Sequence, residues 1–465
     1  MKELLQQTAE QNRTKTAYIV GKNSITYGEL WDKAAKTAEY LRRQGTEPVI
    51  LLGRKEISMV VGILACLIAG RAYVPTDRFL PEARIRKIIA LSGATLLLTD
   101  DGADYPEIAC SSIDGLVRYG DPEPKENTDN IAYIIFTSGT TGEPKGVPVS
   151  TDNLLNFTNW LNHLEPLASY HDVSVLNQAS FSFDLSVADV FYTLTNGHTL
   201  TALESSDLSE IETVFSGNRI EVCVATPTFI KLCMTNPDFD AVHHPYLRCI
   251  YFCGEVLDPK TVRKLWERFP SLEIINAYGP TEATSAVSAV QIRKEMLDKP
   301  LHPAGDTANS AVEIEIDDGE IILKGKSVFS GYLNGITGGY FRENGQNCYR
   351  TGDLGYIENN LLYCRGRKDS QIKYKGYRIE LSDIEQNISE LEGVQDCLVT
   401  ASRTPDGTIR YLSAYVTGES DCLKDLRERI SMVLPDYMIP KNIRLLDRLP
   451  VNANGKTDRK ALCND

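Results

Sequence analysis

Five short segments carry residue types that do chemistry on phosphates, sugars and carboxylates. The densest is Thr137-Ser138-Gly139-Thr140-Thr141-Gly142-Glu143-Pro144-Lys145, directly after the apolar run Ala132 to Phe136. Six Ser, Thr and Gly residues in a row, Thr137 to Gly142, let backbone N–H groups converge on an anion, and the hydroxyls and the Lys145 ammonium add donors. That suits a polyphosphate, although the Walker A spacing of Gly and Lys is not met. The second segment is Asn276-Ala277-Tyr278-Gly279-Pro280-Thr281-Glu282. Its aromatic can cover a purine ring and its carboxylate can hold Mg²⁺, a hard cation that wants oxygen ligands; read alone, it is equally a strand-ending turn with Tyr278 packed on the core. The third pairs Tyr349-Arg350-Thr351-Gly352-Asp353 with Gly366-Arg367. Asp353 is suited to grip both hydroxyls of a ribose and Arg367 to pair with a phosphate; a surface salt bridge between them is the plainer alternative. The fourth, Asn452 to Arg459, is a tight loop with Lys456 at its tip, either an ordinary exposed lysine or a cation that neutralises a carboxylate and a phosphate meeting in a transition state. The fifth, Phe181-Ser182-Phe183-Asp184-Leu185-Ser186-Val187, sets Asp184 in apolar surroundings, as a helix N-cap or as the partner of a ligand ammonium.

These segments need a scaffold. Leu30, Ala34, Ala38 and Leu41 recur at helical spacing within 29–43, and 59–69 follows the same period. Between them lie short apolar runs at 48–52, 94–98, 173–176, 220–224 and 249–252. Continuous apolar strands between helices indicate a parallel sheet covered on both faces, hence a large α/β domain. After about residue 303 the pattern turns β-rich, with a hairpin expected around Asp317-Asp318-Gly319. A smaller α+β unit begins near Asp369, with Ser382 and Glu385 at capping-box spacing, strands at 394–400 and 411–416, and a helix with Leu423, Leu426, Ile430 and Val433 on one face. The expected division is a large domain over 1–368 and a small one over 369–465.

Length and composition bound what such a chain can be. At about 100–200 residues per domain, 465 residues hold two to four domains and bury a large core without staples. A formal net charge of -14 makes nucleic acid and anionic membranes poor partners. The 11 cysteines are scattered without a C-x-x-C pair, which argues against a disulfide scaffold or a zinc site and fits a reducing cytoplasm. No signal-like start is seen, and the most apolar window, 59–70, is well short of a membrane span.

Taken in order, the five segments resemble the adenylate-forming enzymes, and the likeness runs over nearly the whole chain. Asp184 marks the branch that activates amino acids. Within it the chain is similar to the stand-alone D-alanine–carrier protein ligases at 149–161, 181–189, 252–257 and 276–284. The resemblance implies ATP and Mg²⁺ as cofactors, a small amino acid as substrate, and a phosphopantetheinylated carrier protein as partner, with D-alanylation of teichoic acid as the outcome. A stand-alone adenylation domain of nonribosomal-peptide type, for another small or polar amino acid, is the alternative.

The residue roles implied are as follows. Thr137, Ser138, Gly139, Thr140, Thr141, Gly142 and Lys145 hold the β- and γ-phosphates. Asn276, Ala277, Tyr278, Gly279, Pro280 and Thr281 bind adenine and the α-phosphate. Glu282 ligates Mg²⁺, Asp353 holds the ribose with Arg367 nearby, and Asp369 is a hinge. Asp184 takes the amino acid's ammonium, and Lys456 contacts its carboxylate and the nucleotide, so Lys456, Thr281 and Glu282 are the catalytic set. Leu185, Ala188, Tyr251, Cys253, Ala277 and Ser285 line the side-chain pocket, with Cys253 implied to favour the D-enantiomer. Ala188 and Tyr251 depart from the D-alanine pattern, which has a bulkier residue and an apolar aromatic there, so serine or cysteine also stays open as substrate.

Overall fold

Apolar strands flanked by amphipathic helices need sheets to pack on, and the chain builds several. The computed structural model describes residues 1–100, 102–113, 130–139, 142–204, 207–299, 301–336, 338–404, 409–418, 423–450 and 459–462. It divides into two compact units, one of Met1–Asp77, Leu91–Ile135 and Gly146–Lys368, the other of Arg78–Ala90, Phe136–Lys145 and Asp369–Asp465.

The first unit is organised by an eight-stranded sheet in the order Ser288–Gln291, Glu273–Tyr278, Cys249–Phe252, Val222–Ala225, Ser174–Asn177, Thr199–Ala202, Thr16–Val20, Asn23–Thr26. Its strands are parallel except at the two ends. The central strands are buried on both faces, which is why they read as unbroken apolar runs. The alternation is visible in the packing: Cys249, Tyr251 and Cys253 join one core, Ile250 and Phe252 the other. The large α/β domain contains more than one such sheet. Val49–Gly53 pairs in parallel with Tyr73–Asp77 and Leu96–Leu98 in a second sheet, whose Val49 and Leu51 share a core with Val175 and Tyr251 of the first. The helix Tyr27–Gln44 starts in a capping box made by Thr26 and Glu29, and Ile57–Ala69 stops at Gly70 in the left-handed conformation.

The β-rich section is an antiparallel sheet around the long strand Gln346–Glu358. The expected hairpin joins Glu313–Asp317 to Glu320–Lys324, with Asp318 at φ 49° and Gly319 at φ 79° as a two-residue turn.

The second unit has its own core, in which Ile384, Ile388, Val399, Ala414 and Ile430 pack together. Val394–Arg403, Ile409–Gly418 and Asn442–Leu445 form its three-stranded sheet. Two local expectations fail here. The helix Leu381–Ser389 begins one residue before Ser382, so no capping box forms, and Glu385 instead accepts from the Val399 amide at 2.7 Å and pairs with Arg459 at 2.8 Å. The last helix is only Leu426–Ser431, and Leu423 lies outside it and exposed, so the apolar periodicity overstated its length.

Candidate active site

The carboxyl end of the strand Glu273–Tyr278 sets the first cluster. Asn276 Nδ2 donates to the Pro303 carbonyl at 2.7 Å, which fixes the amide plane beside Ala277 and Tyr278. The chain then folds back on itself. A Cβ on Gly279 would lie 2.5 Å from Ala286 Cα and 2.8 Å from the Ser285 carbonyl oxygen, so only glycine lets the two backbones cross. Thr281–Ala283 is a single 3₁₀ turn, after which Thr284 (φ 62°) and Ser285 (φ 69°) are both left-handed. Such residues cost roughly 1–2 kcal/mol each. They persist because Thr284 Oγ1 donates to the Ser327 carbonyl at 2.8 Å and the Phe329 amide to the Glu282 carbonyl at 2.8 Å. The strain places Thr281, Glu282 and Ser285 on one short, fixed loop.

Asp353 meets this cluster through Tyr278, whose hydroxyl donates to Asp353 Oδ2 at 2.8 Å. Arg367 faces Asp353 across the antiparallel pair and donates from Nη1 to Oδ1 at 2.6 Å. Arg367 Nη2 also donates to the Thr351 carbonyl at 3.1 Å, so the guanidinium is clamped in place. The pair is largely buried, unlike an exposed salt bridge, and each carboxylate oxygen keeps a second lone pair for a ligand hydroxyl. Burial, then the Asp353 charge, hold the Tyr278 phenol well above its usual range, so it remains a donor at any working pH.

Glu282 is only 1 % exposed, and its Oε1 accepts from the Tyr332 hydroxyl at 2.5 Å, which in turn lies 3.2 Å from Tyr349 OH. Neither tyrosine is signalled by sequence motifs near Glu282. Among the described residues no three His, Cys, Asp or Glu side chains form a metal cage. Magnesium keeps waters and takes one or two carboxylates together with substrate phosphates, so a single oriented glutamate fits it.

The residues expected to meet the amino acid lie on this sheet and on a helix packed against it. Asp184 occupies the N-cap position of the helix Leu185–Asn196, yet its side chain makes no capping hydrogen bond and is 7 % exposed. The helix packs on the strands Ser174–Asn177, Thr199–Ala202 and Val222–Ala225. Its Leu185 and Ala188 share one apolar core with Val224, Tyr251, Cys253, Ala277 and Ala286. Val224 is directly beside Tyr251 in register, and Cys253 Sγ lies 3.9 Å from the Ser285 carbonyl oxygen. Tyr251 is wholly buried and its hydroxyl makes no hydrogen bond among the described residues.

The hydroxyl- and glycine-rich loop belongs to the second unit. A Cβ on Gly139 would lie 2.0 Å from the Glu143 carbonyl oxygen, and Gly142 has φ 74°, so both glycines are required by the turn. Ser138 Oγ donates to the Arg378 carbonyl at 3.0 Å and accepts from the Glu380 amide at 2.9 Å. Both hydrogen-bonding roles of that hydroxyl are thus taken by the strand Tyr377–Glu380. Thr137 ends the strand Ile131–Thr137, Lys145 begins the next, and Asp369 precedes the strand Gln371–Tyr374, its Oδ1 accepting from the Gln371 amide at 3.2 Å. Thr140, Thr141 and Lys456 lie outside the described residues.

The chain belongs to the AMP-binding enzymes: that family matches residues 5–333, and the AMP-binding enzyme C-terminal domain matches residues 383–456. Its relatives include the D-alanine–D-alanyl carrier protein ligase of Bacillus licheniformis, 35% identical over 99% of this chain and 98% of that protein. The enzymes of the same name from Bacillus velezensis, 36% identical over 95% and 94%, and Staphylococcus aureus, 35% over 98% and 97%, are similar to the same degree. Among solved structures, the Vibrio cholerae adenylation domain AlmE in complex with glycyl-adenosine-5'-phosphate superposes with a TM-score of 0.85 at 23% identity, covering 99% of this chain and 96% of that one. That likeness shows the adenylation-domain fold. No helix among the described residues is long and apolar enough to cross a membrane.

Proposed function

We propose that the protein activates a small amino acid, D-alanine, as its acyl-adenylate and transfers it to the phosphopantetheine thiol of a carrier protein in the cytoplasm, for D-alanylation of teichoic acid. The observation that carries this reading is Asp184. Asp184 is a largely buried carboxylate at the start of a helix that its side chain does not cap. The α-ammonium of an amino acid is a ligand of complementary charge for it, and the small residues Ala188, Ala277 and Cys253 suit a methyl side chain beside it. The relatives of near-equal length carry the corresponding name.

In the first step an amino-acid carboxylate oxygen attacks the α-phosphorus of ATP, and the bond from that phosphorus to the bridging oxygen breaks to release pyrophosphate. Little covalent chemistry is asked of the protein, so alignment and charge neutralisation supply most of the acceleration. Asp353, with Tyr278 and Arg367, orients the ribose; Asn276, Ala277, Gly279 and Pro280 hold adenine; Thr281 and Lys456 meet the α-phosphate. Thr137, Gly139, Thr140, Thr141, Gly142 and Lys145 take the β- and γ-phosphates, with Ser138 offering its backbone N–H, since its hydroxyl donates to the Arg378 carbonyl. Glu282 would hold Mg²⁺, which when bound neutralises phosphate charge. In the second step the carrier thiol sulfur attacks the acyl carbon, the bond to the AMP oxygen breaks, and the thiol proton leaves to solvent. Rotation about Asp369 withdraws Lys456 between the steps.

The test is ATP–pyrophosphate exchange with D- and L-amino acids offered singly. D-alanine is expected to give the fastest exchange. Strong preference for a bulky L-residue would replace this reading with an adenylation domain of nonribosomal-peptide type.

A further inference from the structure

The loop that delivers Asp184 is fastened by a buried cation to which none of the roles above is assigned. Lys55 follows the strand Val49–Gly53 and is 5 % exposed. Its Nζ donates to Asn177 Oδ1 at 2.5 Å and to the Ala179 carbonyl, and lies 4.7 Å from the centroid of the Phe181 ring. Its own carbonyl accepts from Tyr18 OH at 2.7 Å, so the backbone that carries the ammonium is held as well. Asn177 ends the strand Ser174–Asn177, and its Nδ2 donates to both carboxylate oxygens of Asp189 at 3.0 Å. Asp189 is fully buried in the helix that begins just after Asp184. Ammonium, amide and carboxylate therefore tie the strand end to the helix, and the loop 178–184 is closed between them.

We propose that Lys55 is a positioning residue for the amino-acid site: through Asn177, Ala179 and Phe181 it sets the loop 178–184 and with it the place of the Asp184 carboxylate. This rests on the assignment of Asp184 to the substrate ammonium made above. A lone ammonium in such a place is costly, and the relay to Asp189 offsets it. Burial pushes the Lys55 ammonium down and the Asp189 carboxyl up, and the charge of each pulls the other back toward its ionised form, with Asp77 also raising Lys55. An aliphatic side chain of the same length would fill the space but leave Asp189 without its cation and the loop without its anchor. In the sequence Lys55 sits in the charged turn Arg54-Lys55-Glu56, where nothing signals burial.

Two variants test this by exchange kinetics and thermal unfolding: Lys55→Met, and the double variant Lys55→Met/Asp189→Asn, which removes both charges together. The double variant separates charge balance from positioning. The expected result is a folded double variant whose KM for the amino acid rises on the order of tenfold or more while its KM for ATP stays close to the parent's, since displacement of a binding group by about 1 Å is enough for such a loss. An amino-acid KM equal to the parent's, or an equal rise in both KM values, overturns the role of Lys55, as does a fall in thermal stability with both KM values unchanged. Should the single variant fail to fold, the double variant carries the test, and Lys55→Gln, which keeps one donor, is read in the same way. A parent protein inert toward every amino acid defeats the functional reading instead, so the two failures are distinct.

Discussion

Asp184→Asn separates the two things an aspartate can do at the start of a helix. As an N-cap it would be matched by asparagine, whose amide oxygen accepts the same hydrogen bond. Here the side chain makes no capping hydrogen bond in any case, and the amide conserves the volume. The melting temperature should therefore stay close to the parent's. Binding behaves differently. A hydrogen bond to a charged partner contributes about 1.5–3 kcal/mol, and the carboxylate lies in surroundings that water screens little. Taking about 2–3 kcal/mol, and 1.4 kcal/mol per factor of ten, the KM for D-alanine should rise roughly 30- to 150-fold. The KM for ATP should not change, because Tyr278, Asp353 and Arg367 hold one another independently of residue 184. The assay is ATP–pyrophosphate exchange with one substrate saturating and the other varied, alongside thermal unfolding. An unchanged amino-acid KM would refute the reasoning, since the Asp184 carboxylate would then not be the partner of the substrate ammonium.

Tyr278→Phe removes one of the two donors on Asp353; a lost bond to a buried carboxylate contributes about 1–2 kcal/mol, so the KM for ATP should rise roughly 5- to 30-fold with the amino-acid KM unaffected, as the same exchange assay reports. His302 is held neutral by burial, its ring lowered to about 4, with both ring nitrogens unpartnered among the described residues. Because its folded value lies below the unfolded one, the unfolded chain binds the extra proton: the stabilisation is complete above about pH 6.5 and is lost as the pH falls toward 4, up to about 3 kcal/mol. Urea unfolding at pH 7 and pH 4.5 should therefore show a smaller acid loss for His302→Gln than for the parent, and equal losses would contradict it.

The parts of this molecule that were legible from residues alone are those in which function is local. The run Thr137 to Gly142 and the turn Asn276 to Glu282 advertise themselves because glycine is needed where backbones approach within van der Waals contact, as Gly139 and Gly279 show. The hairpin at Asp318-Gly319 was readable because its two-residue turn needs positive φ at both positions. What depends on distant partners was not. For Arg367 the residues leave open a phosphate ligand or a surface salt bridge to Asp353; strand register sets it on Asp353, fourteen residues earlier in sequence, but as a largely buried pair. The Tyr332 hydroxyl on Glu282 and the Lys55 ammonium on Asn177 come from other elements altogether. Ser382 and Glu385 had capping-box spacing, but the helix begins at Leu381 and Glu385 is drawn away by the Val399 amide and Arg459. Local spacing reports what a segment can do; burial by another element decides what it does.

The transfer step is the most direct test of the whole account. A holo carrier protein of a D-alanyl carrier protein ligase relative, incubated with this protein, ATP, Mg²⁺ and D-alanine, should gain one alanyl group by intact-protein mass spectrometry, and the apo carrier should gain none. Exchange activity with D-alanine but no mass gain on any holo carrier, or an equal gain on the apo form, would contradict it.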